Sequence, residues 1–120
     1  MTAKLPHDHG GKSCDPTLLD RLPGSDDAVA VADTFKLISD GTRLRILTLL
    51  CHAEECVCNI AAAVDMSAPA VSHHLRVLRS AGIITLRKAG KESYYSLADT
   101  AEGRLVHRII DDLFDFKCRR

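Results

Sequence analysis

Residues 67–82, SAPAVSHHLRVLRSAG, contain a full set of signals for one amphipathic helix. Ser67 is a favourable N-cap residue, Pro69 is suited to the first helical turn, and Gly82 is a typical helix end. Apolar residues at spacing i, i+4 and i+7 form one stripe, consisting of Val71, Leu75 and Leu78. The opposite side is polar and includes Ser72, His73 and Arg76.

The segments on either side predict a mostly α-helical chain with one small β-hairpin. Three helices come first: one starting at Ser25 or Asp26, one through GTRLRILTLL, and a short one from Cys56 to Val64. The break DMS separates the short helix from the helix quoted above. Strands IITLRK and ESYYSL, joined by Ala89-Gly90, follow, and a last helix runs from Asp99 or Thr100 toward Phe116. This order is that of a winged helix-turn-helix, in which the second helix of the pair enters a DNA groove.

Charge is distributed unevenly, although the chain as a whole has a formal net charge of zero. Residues 71–98 contain five Arg and Lys side chains and one Glu, whereas the flanking segments are acidic. A basic patch of this kind suits contacts to the phosphates of double-stranded DNA. The candidate DNA-binding residues are Ser67, Ser72, His73, Arg76, Arg87, Lys88 and Lys91.

Composition favours a small cytoplasmic protein that is not an enzyme. The 120 residues suffice for one modest core, and no apolar run approaches the ~20 residues needed to span a bilayer. Five cysteines in a cytoplasmic chain are typical of thiols or metal ligands rather than disulfides. No nucleophile, base and orienting group are evident together, and the paired cysteines are separated by one residue, not by the two of a thiol oxidoreductase.

Cys56 and Cys58 stand one residue apart at the start of a predicted helix. Side chains at i and i+2 of a regular helix point about 200° apart, so both thiols can face one ion only if the backbone is non-helical at Cys56. Thiolates are soft donors that select Cd(II), Pb(II), Zn(II), Cu(I) and trivalent arsenic or antimony. The pair therefore indicates a binding site for a soft metal.

Four segments together resemble the ArsR/SmtB family of metal-responsive transcriptional repressors: DGTRLRILTLL, ECVCNIAAAV, SAPAVSHHLRVLRSAGII and RKAGKESYYSLAD. The resemblance covers roughly residues 28–115 and, through ECVC, is strongest to the CadC-like branch. It implies a homodimer that represses from an inverted-repeat operator in its metal-free form and is released by metal. Residues 1–25 are then a flexible arm that carries candidate ligands, and residues 26–118 form the DNA-binding and dimerisation domain.

The same resemblance implies that the arm completes the metal site. Cys14 would join the helix pair, with His7, His9 or a solvent molecule as the remaining ligand, and the inducer would be Cd(II), Pb(II) or Zn(II), with no organic cofactor. Metal binding is then expected to move the short helix and, through the turn DMS, the recognition helix. Two alternatives remain open: a repressor responsive to As(III) or Sb(III) through three thiolates, and a repressor that senses thiol oxidation or persulfides.

A second metal site in the last helix is a weaker expectation. The family places an interfacial zinc site there, with a His two residues after an Asp; Asp99 matches the first position, but Ala101 stands in place of the His. Another set, His107, Asp111 and Cys118, recurs at i, i+4 and i+11 along one side of the predicted helix. Together with Asp99, these are the candidate ligands of the second site.

Overall fold

The structure is a computed structural model that describes residues 5–7, 10–11 and 15–114. Within these residues the chain forms six helices and one antiparallel hairpin: α1 (Pro16–Asp20), α2 (Ser25–Ile38), α3 (Gly41–His52), α4 (Val57–Val64), α5 (Ala68–Ser80), β1 (Ile84–Ala89), β2 (Glu92–Leu97) and α6 (Ala101–Phe114). This is the predicted winged helix-turn-helix, with α4 and α5 as the helix pair and β1–β2 as the wing.

The chain divides into two compact units, residues 1–32 and residues 33–120. In the first unit, α1 follows Asp15, whose Oδ1 accepts a hydrogen bond from the Leu18 N–H at 2.9 Å. This cap, together with a proline at the first helical position, explains why so short a helix forms there. The division at residues 25 and 26 that the sequence predicts stays a prediction.

The core of the second unit lies between α3, α4, α5, the base of the wing and α6. The stripe predicted in α5 is confirmed, because Val71, Leu75 and Leu78 are all fully buried. They pack in one apolar cluster with residues from every other element of this core, including Ile46, Leu47, Ile60, Ile83, Val106 and Ile110. This cluster fixes the orientation of α5, so its polar side faces away from the core.

The ends of the helix pair are set by local backbone chemistry. Asp65 ends α4 in the left-handed conformation, with φ of 54°. Ser67 caps α5 as predicted, since its Oγ accepts a hydrogen bond from the Ala70 N–H at 3.3 Å. Gly82 follows α5 with φ of 76°, a conformation that glycine adopts without a steric penalty.

Two arginines of α3 hold the helix pair in place. Arg43 Nε donates to Nδ1 of His74 in α5 at 3.0 Å. Arg45 donates from Nη2 to the Ala63 carbonyl and from Nη1 to the Val64 carbonyl, both at 3.3 Å. Because these carbonyls lie at the C-terminus of α4, a cation there is favourable. Both helices of the pair are thus attached to α3 by polar contacts as well as by the core.

The wing is a two-stranded ladder in which Ile84 pairs with Leu97 and Ala89 pairs with Glu92. The connection is therefore Gly90-Lys91, so the prediction of Ala89-Gly90 was wrong by one residue. Ala89 remains in the ladder because Gly90 alone, with φ of 63°, supplies the left-handed turn.

The junction between the wing and α6 is close-packed. The Thr100 hydroxyl donates to the Gly82 carbonyl at 2.6 Å and accepts from the Gly103 N–H at 3.0 Å. Gly103 is buried, and a Cβ built on it would lie 2.0 Å from the Ala98 carbonyl oxygen. Only glycine therefore fits at this crossing.

Several apolar side chains of the helices are exposed. In α2, Val29 and Phe35 are 57% and 47% exposed. In α6, Leu113 is 67% exposed and Phe114 is 47% exposed, beyond the buried Val106 and Ile110. These side chains are therefore largely exposed in the single chain. A periodic pattern shows only that one face of a helix is apolar, and it does not show what covers that face.

Candidate functional site

The outer side of α5 presents the polar residues that the sequence predicts as DNA contacts. His73 and Arg76 are exposed and Ser72 is half-buried. Ser72 and Arg76 line a groove toward the second strand of the wing, together with Leu75, Arg79, Ser80 and Tyr95. Arg79 and Tyr95 were not among the predicted contacts. A guanidinium and a hydroxyl here are able to donate hydrogen bonds to base edges or phosphates.

At the wing, three cations are predicted to contact phosphates. Lys88 and Lys91 are exposed at and beside the hairpin loop. Their predicted contact to phosphates stays a prediction. Arg87 lies on the same strand as Lys88, but its guanidinium has an intramolecular partner.

Arg87 is paired with Glu54, which lies just before α4. Arg87 Nε donates to Oε2 at 3.1 Å and Nη2 donates to Oε1 at 3.0 Å, so the carboxylate accepts through both oxygens. The guanidinium also lies 5.1 Å from the centre of the Tyr94 ring. The Arg87 hydrogen bonds lower the pKa of Glu54, and the same pairing raises the pKa of Arg87, so both groups are charged at neutral pH. Because 33 residues separate Glu54 from Arg87 along the chain, no local sequence pattern predicts this pair.

The paired thiols lie where α4 begins. Cys56 is the N-cap residue, with φ of −80° and ψ of 164°, and its side chain makes no capping hydrogen bond. Cys58, in the first turn, is exposed, and neither cysteine is in a disulfide. The backbone is thus extended at Cys56, which is the condition that the sequence required for two thiols to face one ion.

The two thiols at the start of α4 are chemically suited to a thiophilic metal. Two ligands are fewer than the three or four that such an ion usually has. No group of three or more His, Cys, Asp or Glu side chains that would hold a metal occurs among the residues the structure describes. His7 is exposed, while Cys14 and His9 fall outside the described residues. The described part of this candidate site therefore consists of the two thiols of Cys56 and Cys58.

The weaker set in α6 is only partly brought together. His107 Nε2 lies 3.4 Å from Asp111 Oδ2 on one side of the helix. Asp99 is paired with Arg104 at 2.9 Å and its side chain is 93% exposed. Cys118 lies outside the described residues, and its role as a ligand stays a prediction.

No helix in residues 5–7, 10–11 and 15–114 is long and apolar enough to cross a membrane. The described architecture, with a helix pair, a basic outer helix and a wing, defines a winged helix-turn-helix DNA-binding protein. The family model for bacterial regulatory proteins of the arsR family matches residues 40–85. That range covers α3, α4 and α5.

Curated relatives agree with this match. The chain is 42% identical over 88 residues to a transcriptional repressor SmtB homolog of Synechocystis, covering 73% of the chain and 67% of the relative. It is 44% identical over 79 residues to a cadmium resistance transcriptional regulatory protein, a CadC homolog of Staphylococcus aureus, covering 65% of each. The chain belongs to the ArsR/SmtB family of transcriptional regulators.

Solved structures share the fold. A homodimeric winged helix-turn-helix DNA-binding domain from Mycobacterium bovis superposes with a TM-score of 0.63 at 28% identity, covering 82% of this chain and 97% of that one. The AntR antimony-specific transcriptional repressor superposes with a TM-score of 0.68 at 32% identity, covering 86% and 95%.

Proposed function

We propose that the chain is a cytoplasmic, homodimeric repressor that binds an inverted-repeat operator in its metal-free form. Cd(II), Pb(II) or Zn(II) binds a thiolate site that contains Cys56, Cys58 and Cys14, and the operator is released. His7, His9 or a solvent molecule supplies the remaining ligand. The observation that carries this proposal is the placement of two thiols at the non-helical start of α4, the first helix of the DNA-binding pair.

The thiol chemistry supports a soft metal as the inducer. Cys58 is exposed and Cys56 is half-buried at a helix end, so an ion has access to both without unfolding the core. Thiolate ligands select thiophilic ions over magnesium or calcium. A relative 44% identical to this chain is a cadmium resistance regulator, which favours the same class of inducer here.

Dimerisation is supported by the exposed apolar side chains of the second unit. Phe35, Leu113 and Phe114 are each about half exposed or more in the single chain. A second copy that covers them would bury apolar surface and place two recognition helices about one turn of DNA apart. The homodimeric domain from Mycobacterium bovis favours this arrangement.

The metal-free protein is expected to be a dimer that binds duplex DNA and is released by thiophilic metals. Sedimentation would establish the dimer, and the fluorescence anisotropy of a labelled duplex, selected by the metal-free protein from a randomised pool, would give the affinity. Adding Cd(II) should weaken that affinity about 5- to 150-fold while a thiolate-to-metal absorption band appears. Release without that band, or a band without release, would contradict the proposal.

A second candidate inducer is As(III) or Sb(III), bound by three thiolates. The structural similarity to the AntR antimony-specific repressor favours it, and Cys56, Cys58 and Cys14 supply the required number of sulfurs. Comparing release by Sb(III) and by Cd(II) on the same duplex distinguishes the two inducers. Release on oxidation or persulfidation, with no response to either metal, would instead support thiol redox sensing.

Arg76 and Lys91 are expected to contribute to DNA binding in different ways. Arg76→Ala should weaken binding of the selected duplex by about 1–3 kcal/mol, because Arg76 lies on the exposed side of the recognition helix. Lys91→Ala should weaken all sequences evenly and reduce the salt slope by about one, since a phosphate contact releases one counterion.

Arg108→Ala is the matched control for this experiment, because it removes an exposed cation from α6. Anisotropy titrations across salt concentrations would measure both effects. Equal affinities for the Arg76→Ala, Lys91→Ala and Arg108→Ala variants would show that α5 and the wing do not form the interface.

A further inference from the structure

The segment just before the thiol pair is joined to the wing through its backbone. The Glu55 N–H donates to the Tyr95 carbonyl at 3.1 Å, and the Tyr95 N–H donates to the Glu55 carbonyl at 2.9 Å. These two bonds form an isolated antiparallel bridge, so Glu55 acts as a one-residue third strand beside β2. Cys56 is the next residue, separated from the bridge by one peptide bond.

A side-chain contact parallels that bridge. Glu54 accepts two hydrogen bonds from Arg87, and the Tyr94 ring lies beneath the same guanidinium. Arg87 belongs to β1, and Tyr94 is its cross-strand partner in β2. The segment that ends at Cys56 thus contacts both strands of the wing, through the backbone at β2 and through an ion pair at β1.

The other route from the thiols to DNA passes along α4 and through its turn to α5, and this route is restrained. Ile60 and Val64 anchor α4 in the core, with 0% and 5% exposure. Arg45 holds the carbonyls at the C-terminus of α4, and Arg43 holds His74 of α5. A displacement of Cys56 is therefore resisted by α4, which the core and Arg45 hold in place. The same displacement is transmitted to the wing through the Glu55–Tyr95 bridge.

We propose that the wing, rather than the turn between α4 and α5, carries the metal signal to the operator, and that Glu54 is a positioning residue for Arg87 in this coupling. The inference rests on the proposed function and specifies its regulation. Metal binding at Cys56 shifts the Glu55 bridge and the Glu54 carboxylate, and both move the basic wing relative to the recognition helix. The strands then no longer present their cations to phosphates in register with α5.

The test measures one ratio, the affinity for the selected duplex without Cd(II) divided by the affinity with it. We expect Glu54→Gln to reduce this coupling ratio about 2- to 5-fold, the effect of one exposed ion pair. The absorption band and the metal stoichiometry should not change, because no proposed ligand is altered. Glu102→Gln is the matched control, since it makes the same charge change at an exposed position in α6 and should keep the ratio of the parent.

The backbone bridge needs a second pair of variants. Glu55→Pro removes the N–H that donates to the Tyr95 carbonyl, and we expect it to reduce the coupling ratio about 5-fold, toward a ratio of one. Glu55→Ala keeps that N–H and removes only the side chain, so its ratio should stay close to that of the parent. Thermal unfolding and sedimentation of each variant establish that it is a folded dimer.

The outcomes separate the two proposals. A parent that releases DNA with Cd(II), together with folded Glu54→Gln and Glu55→Pro dimers that keep its full coupling ratio, would overturn the wing route and leave the proposed function in place. A parent that shows no metal-dependent release would overturn the proposed function, and the wing route with it. Loss of coupling in Glu55→Pro but not in Glu55→Ala supports the wing route.

Discussion

Replacing Cys56 or Cys58 with serine is expected to abolish metal-dependent release while leaving operator binding intact. Neither thiol lies in the core or on the outer side of α5, so the metal-free dimer should bind DNA with the affinity of the parent. A hydroxyl is a poor ligand for a thiophilic ion, and the coupling of about 5- to 150-fold should fall to about one. The measurement is anisotropy of the selected duplex with increasing Cd(II).

Cys51→Ser is the matched control, because it removes a half-buried thiol from the last turn of α3. The Cys51→Ser variant should dissociate from the duplex at the same Cd(II) concentration as the parent protein. Cys14→Ser should raise the metal concentration required, or abolish release, according to whether a histidine of the arm replaces the thiolate. If Cys56→Ser and Cys58→Ser both respond like the parent, the sensing site lies elsewhere.

Gly103→Ala is expected to produce the largest loss of stability among the Gly→Ala substitutions of this chain. The new Cβ would lie 2.0 Å from the Ala98 carbonyl oxygen and 3.2 Å from that of Ile83, and these are backbone atoms that no rotamer change can move aside. Separating α6 from the base of the wing should lower the free energy of unfolding by about 3 kcal/mol. Urea denaturation at fixed protein concentration would measure it.

Gly41→Ala provides the comparison, because it adds the same methyl group to the first residue of α3. Nothing lies within 4 Å of its Cβ position. The free energy of unfolding should stay constant or rise by about 0.5–1 kcal/mol, since alanine loses less backbone entropy than glycine. Equal urea midpoints for the two variants would mean that the crossing at Gly103 is looser than the structure shows.

Local sequence signals were sufficient to predict the fold. The order of elements, the buried stripe of α5, the cap at Ser67 and the helix end at Gly82 each depend on residues a few positions apart. Short-range spacing determines which face of a helix is apolar and where the helix ends, and these features define the winged helix-turn-helix. The sequence placed Cys56 inside the predicted short helix, whereas it is the N-cap residue of α4 and has an extended backbone.

Contacts between distant segments could not be predicted in this way. The Glu54–Arg87 pair and the Arg43–His74 hydrogen bond join residues 33 and 31 positions apart, and no local pattern marks either partner. In the sequence, Gly103 appears only as a residue of low helix propensity within an otherwise favourable helix. Glycine is required there because the Ala98 carbonyl leaves no room for a Cβ, and the sequence does not show that contact. The exposure of Val29 and Phe35 in α2 could not be predicted either, because periodicity does not distinguish a core from a surface that a second copy would cover.

The attachment of α4 and α5 to α3 has an evolutionary consequence. Arg43 and Arg45 hold α4 and α5 through hydrogen bonds to His74 and to two backbone carbonyls. Neither Cys56 nor Cys58 takes part in these bonds. Under the proposed function, substitutions that gain or lose ligands at positions 56 and 58 alter none of these contacts to the recognition helix. A lineage of such repressors would then be free to change the metal it detects while it continues to bind the same operator.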